Sequence, residues 1–410
     1  MTRRDLVVGL DIGTSKVAAV VGQSKSGGGF DIIGVGTSPA AGMRRGVVVD
    51  IDSMVQSITE ACQSAERMAG ISIKSVHVAA GGPHLATTNN RGVVAVSRED
   101  REITAEDQAR VLEAARVLSM PSDREVVHVL PRQFIVDGYE GVRDPVGMVG
   151  VRLEVEALIV TGAITSLQNM LRCVYKAGLD VEDVVLSVLA SGETVLHASE
   201  KDLGVVLVDI GAGTTDVAIF DQGSLWQAGV IPVGAGYITN DIAVGLRTPV
   251  QQAETVKVMH GLAQVAASKD DLFFDVPAMT GDGERQISQS MLATIIEARV
   301  HELLDLVQQK IKLFGFPHVL PAGMVLTGGG SRLAGMSAAA YDYLDMPVRV
   351  GSPKVAGGLD DIVRDPGLAC GVGLVARALD GKGARTAMPE SGNRLREWVA
   401  AVKEWFREFL

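Results

Sequence analysis

Two far-separated stretches of the chain carry one pattern. LDIGTSKVAAVVG (Leu10 to Gly22) and VDIGAGTTDVAIF (Val208 to Phe220) each run from an apolar strand through Asp-Ile-Gly and small hydroxyl residues into a second apolar strand. A strand–turn–strand unit that occurs twice implies two related halves facing each other. Gly13, Gly211 and Gly213 let backbone N–H groups approach phosphate oxygens, because no Cβ intervenes. Thr14, Ser15, Thr214 and Thr215 add hydroxyl donors, Ala212 keeps the second turn slim, and Lys16 supplies a point charge. Asp11 and Asp209 sit where a carboxylate holds Mg²⁺ through water. One such turn is readily an ordinary hairpin, but two matching copies argue for a shared ligand.

A third glycine cluster, Gly328-Gly329-Gly330-Ser331, follows the apolar run GMVLT and precedes the helix-like RLAGMSAAAYDYL. A glycine-rich strand-to-helix turn suits phosphate or adenosine at a helix N-terminus. The chain lacks the P-loop pattern and a complete dinucleotide fingerprint, and GVGTSP at Gly34 to Pro39 misses its third glycine.

Glycine-closed apolar runs (SVHVAAGG, GVVLVDIG, DVAIF) alternate with segments of helical spacing, of which SMLATIIEARVHELLDLVQQKIKLFG is the longest. That alternation reads as α/β. The rhythm breaks from about His84 to Gly162, where one helix and a few strands predict a compact inserted subdomain. A second insertion, about Val250 to Gly315, reads as two helical stretches around the polar turn MTGDGERQ. At 410 residues, more than one domain is expected.

Charge excludes one class of function. The net charge of −11, with no long run of Lys and Arg, argues against a protein that coats nucleic acid. Cys62, Cys173 and Cys370 form no C-x-x-C pair, which excludes a Cys-based zinc site and a disulfide framework. No apolar stretch is long enough for a bilayer span. The seven histidines show no metal-ligand spacing and read as structural.

The chain ends differently from the rest. DGKGARTAMPESGN (Asp380 to Asn393) is a linker by composition, and RLREWVAAVKEWFREFL follows it. Leu395, Trp398, Val399, Val402, Trp405, Phe406 and Phe409 recur at one helical face, and two of the protein's three Trp fall there. A terminal helix folded onto the body is the plain alternative. The aromatic content, the basic residues and the preceding linker favour an interfacial membrane anchor.

The order of LDIGTSK, VLSVLASGETVL, VDIGAGTTD, AETVK and VLTGGGSRLAG resembles the actin, sugar-kinase and heat-shock-chaperone ATPase superfamily, and most closely the FtsA family of actin-like cell-division proteins. The resemblance covers nearly the whole chain, and FtsA-type proteins carry their insertion where residues 84–162 fall. It implies an actin-like ATPase fold of two lobes with ATP and Mg²⁺ between them. Subdomain 1A would comprise 1–83, 163–195 and 365–380, with 1C at 84–162. Subdomain 2A would comprise 196–249 and 316–364, with 2B at 250–315, a linker at 381–393 and an amphipathic membrane-targeting helix at 394–410. By position, Gly234, Gly236, Glu254 and Lys257 would line the nucleotide cleft. Outside the resemblance, Glu254 and Lys257 read as an i,i+3 pair on a solvated helix face.

Implied partners are the C-terminal tail of FtsZ at 2B, further copies of the chain in filaments, the cytoplasmic face of the membrane at the division site, and later division proteins at 84–162. Hydrolysing members of the superfamily place Gln or Glu at the start of the connecting helix. This chain has Ser187, a poor general base, so slow or absent hydrolysis is expected. A PilM-type pilus-assembly adaptor and a sugar or acid kinase are the alternatives.

Overall fold

The computed structural model describes residues 5–269, 272–279, 283–354 and 357–380. The expected linker and terminal helix lie outside the described residues.

Two five-stranded sheets share one topology. In the first, Leu6–Ile12 pairs antiparallel with Lys16–Ser24, which pairs with Phe30–Pro39. On its other edge Leu6–Ile12 runs parallel to Ser75–Ala80, and that strand to Asp180–Leu186. In the second, Val205–Ile210, Thr215–Asp221 and Ser224–Ile231 form the meander, and Met324–Thr327 and Val348–Val350 add in parallel. The sequence duplication is therefore a duplication of sheet order.

Both sheets are buried on two faces, which explains why their strands read as continuous apolar runs. The first packs against the helix Ile51–Ala69, whose buried side carries Met54, Ile58, Ala61 and Ala65. Asp50 caps that helix by accepting from the Ser53 N–H, and Gly70 ends it at φ 67°. The second packs against the helix Gln289–Phe314, which buries Leu292, Ile296, Val300, Leu303, Leu304 and Val307.

The insertion is an antiparallel sheet of Leu85–Ala95, Arg152–Ala163, Arg124–Val136 and Tyr139–Val142. The helix Ala105–Arg116 covers it, capped by a reciprocal Thr104–Asp107 box. In the second insertion the helices Val250–His260 and Gln289–Phe314 flank more than a polar turn. Phe273–Pro277 and Glu284–Ser288 pair there as a hairpin. Among the described residues no helix is long and apolar enough to cross a membrane.

Candidate functional site

Both glycine turns close by the same hydrogen bond. The Gly13 N–H donates to the Lys16 carbonyl at 3.0 Å, and the Gly211 N–H to the Thr214 carbonyl at 2.9 Å. The turns meet face to face: a Cβ on Gly213 would lie 2.5 Å from Thr14 Oγ1, so only glycine permits the approach. Gly328 arrives from the end of Met324–Thr327 at φ 80°, where a Cβ would sit 2.2 Å from Asp209 Oδ1.

These elements enclose a cleft of about 1420 Å³, larger than a typical small-molecule pocket. Its walls include Asp11, Gly13, Thr14, Ser15 and Lys16 from the first half, and Asp209, Gly211, Ala212, Gly213, Thr214 and Gly236 from the second. Glu254, Lys257, Gly328, Gly329 and Gly330 line it as well. Lys257 Nζ pairs with Glu254 Oε2 at 2.7 Å and with Thr239 Oγ1 at 2.8 Å, so the i,i+3 pair faces the cleft wall.

Three residues singled out from the sequence stand behind the wall. The buried Thr215 hydroxyl donates to the Val233 carbonyl at 2.8 Å. The Ser331 hydroxyl donates to the Gly328 carbonyl at 2.8 Å. Gly234 packs against the backbone of Gly211 and Ala212 and leads into the helix Ala235–Leu246. The third glycine cluster opens not an α-helix but a short 3₁₀ turn, Gly329–Arg332, and the helix Met336–Leu344 begins beyond it.

Carboxylates converge on the cleft floor. Burial, and then the Asp209 charge, push Asp11 up to about 6, with Lys16 opposing. Burial also raises Asp209, which accepts from Ser191 Oγ at 2.7 Å. Asp216 is pushed up to about 7 by burial and by Asp209, and it accepts from Ser187 Oγ at 3.2 Å. Cys370 hydrogen-bonds Asp11, and its thiol is raised well above the usual range by burial and these charges. Among the described residues no three His, Cys, Asp or Glu side chains form a direct metal-ligand set. Excess buried negative charge at this floor fits a cation held through water rather than one wrapped in protein ligands.

Sequence reasoning missed Asp216, Ser191, Cys370 and the pair Arg44-Arg45, which also lines the cleft. Asp216 had a signal. It sits directly across the strands from Asp209, as Ala18 does from Asp11.

Comparison with known proteins decides the lineage. A family model described as "Cell division protein FtsA" matches residues 206–373, and one described as "SHS2 domain inserted in FTSA" matches residues 82–161. The cell division protein FtsA of Pseudomonas aeruginosa is 42% identical over 409 residues, covering 96% of this chain and 97% of its own. The chain belongs to the FtsA family. The FtsA of Bacillus subtilis is also 42% identical, across 95% of this chain and 88% of its own, and that of Escherichia coli is 36% identical across 99% of each.

Solved structures place the fold among actin-like proteins. A PilM–PilN type IV pilus biogenesis complex matches with TM-score 0.66 at 17% identity, covering 90% of this chain and 98% of that one. MreB5 of Spiroplasma citri bound to AMPPNP matches with TM-score 0.56 at 14% identity, covering 93% and 98%. The sheet duplication and the inserted subdomain of this FtsA-family chain are therefore an actin-like α/β architecture with an FtsA-type insertion. It is a cell-division protein, and its relatives do not favour the pilus-adaptor or kinase alternatives.

Proposed function

We propose that the cleft binds ATP with Mg²⁺ and that nucleotide binding governs assembly of the chain with further copies of itself. Supporting this are two phosphate-type turns closed alike, Lys16 in the cleft wall and a carboxylate floor. Backbone N–H groups of the turns and Lys16 would hold the phosphates, while Glu254 and Lys257 would meet the ribose or adenine. Asp11 and Asp209 would orient water around the metal, which when bound offsets phosphate charge. MreB5, of like fold, was solved with AMPPNP. The subdomain boundaries given above follow the same reading, with 84–162 as 1C and 250–315 as 2B.

Hydrolysis would be slow. Ser187 opens the helix Ser187–Val195 at the cleft and donates its hydrogen bond to Asp216. Asp216, pushed up to about 7 and in contact with Ser187, would be the candidate base for any turnover.

We further propose that the chain tethers FtsZ filaments to the cytoplasmic face of the membrane at the septum. The FtsZ C-terminal tail would dock on 250–315, which exposes Phe273, Met279 and Met291. Residues 394–410 would insert the face of Leu395, Trp398 and Phe406. Later division proteins would meet the 84–162 sheet. A single interfacial helix holds weakly, and several on one polymer gain about 10²–10⁴ in avidity. Co-sedimentation with anionic liposomes and an FtsZ-tail peptide, with and without Mg-ATP, tests this. The full chain should pellet and recruit the peptide, more so with ATP, and a chain ending at Glu390 should not. Equal behaviour of the two would remove the anchor.

A further inference from the structure

A tight turn at the cleft mouth is built against the residue preference of its own backbone. Met43 pairs with Val48 and Arg44 with Val47, so Arg45 and Gly46 are the two central residues of a hairpin. Both have positive φ, 50° and 74°. Two-residue hairpins of that twist favour Asn, Asp or Gly, and an arginine there is strained. Strain of this kind persists where a side chain must be aimed.

The aim is across the cleft. The Arg45 guanidinium lies over the Tyr237 ring, 5.5 Å from its centroid. Tyr237 belongs to Ala235–Leu246, in the half of the molecule opposite the hairpin. The Arg299 guanidinium lies against the same ring at 5.7 Å, and its Nε pairs with Asp241 Oδ2 at 2.5 Å. Arg299 stands on the long helix Gln289–Phe314. The hairpin tip also touches the first glycine turn and lies close to the second. The Gly46 N–H donates to Thr14 Oγ1 at 3.2 Å, and a Cβ on Gly46 would be 3.4 Å from Thr214 Cγ2.

Arg45 is exposed and lines the same cleft as Lys16 and Thr14. A guanidinium over a ring is held more weakly than one forked onto a phosphate. We propose that the Met43–Val48 hairpin is a strap across the cleft mouth and that Arg45 is its phosphate sensor. A nucleoside triphosphate draws the guanidinium from Tyr237 onto its outermost phosphate, whereas a diphosphate leaves it on the ring. Release of Tyr237 changes what Arg299 packs against, and so reports the triphosphate to the helix Gln289–Phe314. This inference rests on the nucleotide reading of the cleft.

The test measures Mg-ATP and Mg-ADP affinities of the full chain by calorimetry, with thermal stability alongside. Arg45→Gly should weaken ATP by about tenfold, the scale of one charge-assisted contact, and leave ADP within about twofold. Its stability should hold or rise, because glycine relieves the positive φ. Arg45→Lys should recover part of the ATP preference, lacking the planar fork. Lys16→Ala should weaken both nucleotides. If Arg45→Gly shifted ATP and ADP by one common factor, or shifted neither, the sensor would be wrong while the Lys16→Ala result still upheld nucleotide binding. If the wild-type chain bound neither nucleotide, the cleft reading and the sensor would fall together.

Discussion

The two glycine turns occupy equivalent places in two equivalent sheets, yet they differ in charge: a lysine accompanies the leading aspartate in the first, and a second aspartate accompanies it in the second. The residue whose carbonyl closes the loop is Lys16 in the first turn and Thr214 in the second. Across the strands from the leading aspartate stands Ala18 in the first copy and Asp216 in the second. Duplication has kept the backbone and divided the electrostatics. The first half lines the cleft with one aspartate and a lysine, and the second with two aspartates. A ligand bearing charge of both signs is bound by the pair together, so the asymmetry itself favours a site between lobes over one within either.

Removing the first turn's cation should have the largest effect on binding. Lys16→Ala deletes a charge-assisted contact of about 1.5–3 kcal/mol, so nucleotide affinity should fall by about 10- to 150-fold, read by calorimetry. The turn's shape should survive, because its closing bond uses the Lys16 carbonyl rather than its side chain. A drop of less than threefold would show that the turns bind through backbone alone.

Second in size is a change that breaks the fit rather than the charge. Gly328→Ala puts a Cβ at 2.2 Å from Asp209 Oδ1 on backbone with φ 80°. A cost of about 2–3 kcal/mol in unfolding stability is expected, with weakened nucleotide binding. Gly329→Ala makes the control, since nothing lies within 4 Å of its Cβ position. Denaturant midpoints of the two variants should separate cleanly.

The carboxylate side is best probed by pH. The folded-state pKa of Asp216 is pushed up to about 7, above its ordinary value of 3.8. Between those values the folded chain holds a proton that the unfolded chain has released. Stability without ligand therefore falls as pH rises through that window and levels off above it. Asp216→Asn should remove much of that slope and raise stability at pH 8 by on the order of 1–2 kcal/mol, cleft solvent and the remaining Asp11–Asp209 pair limiting the gain. Thermal melts from pH 5 to 8 of the ligand-free protein would show it. An unchanged slope would mean that the three carboxylates do not act together.

What the residues revealed in advance follows from how local each signal was. Apolar runs closed by glycine and a repeated Asp-Ile-Gly exposed the sheets and both turns, because strand burial and turn geometry are set within a few residues. The hairpin of Phe273–Pro277 and Glu284–Ser288 stayed hidden, since its second strand is mostly exposed and polar and offers no alternating apolar face. Cys370 comes to Asp11 only through the packing of Ala369–Asp380 on the first sheet, a long-range contact no spacing encodes. Arg45 left a faint trace, an Arg-Arg-Gly just before the β-branched run Val47-Val48-Val49, which is a turn with the wrong residue in it.

The smallest expected effect on binding comes from a position where alternation was decisive. Thr214, Thr215 and Asp216 are consecutive, and side chains alternate across a strand. Thr214 and Asp216 line the cleft, so Thr215 must point away, and its buried hydroxyl binds the Val233 carbonyl at 2.8 Å. Thr215→Val keeps the shape and deletes one buried hydrogen bond, leaving that carbonyl without its donor. Stability should drop by about 1–2 kcal/mol, while nucleotide affinity stays within about twofold. Thr214→Val should do the reverse, weakening binding with little change in stability. If Thr215→Val weakened nucleotide as much as Thr214→Val, the second turn would have to open on binding. The two lobes would then differ in rigidity as well as in charge.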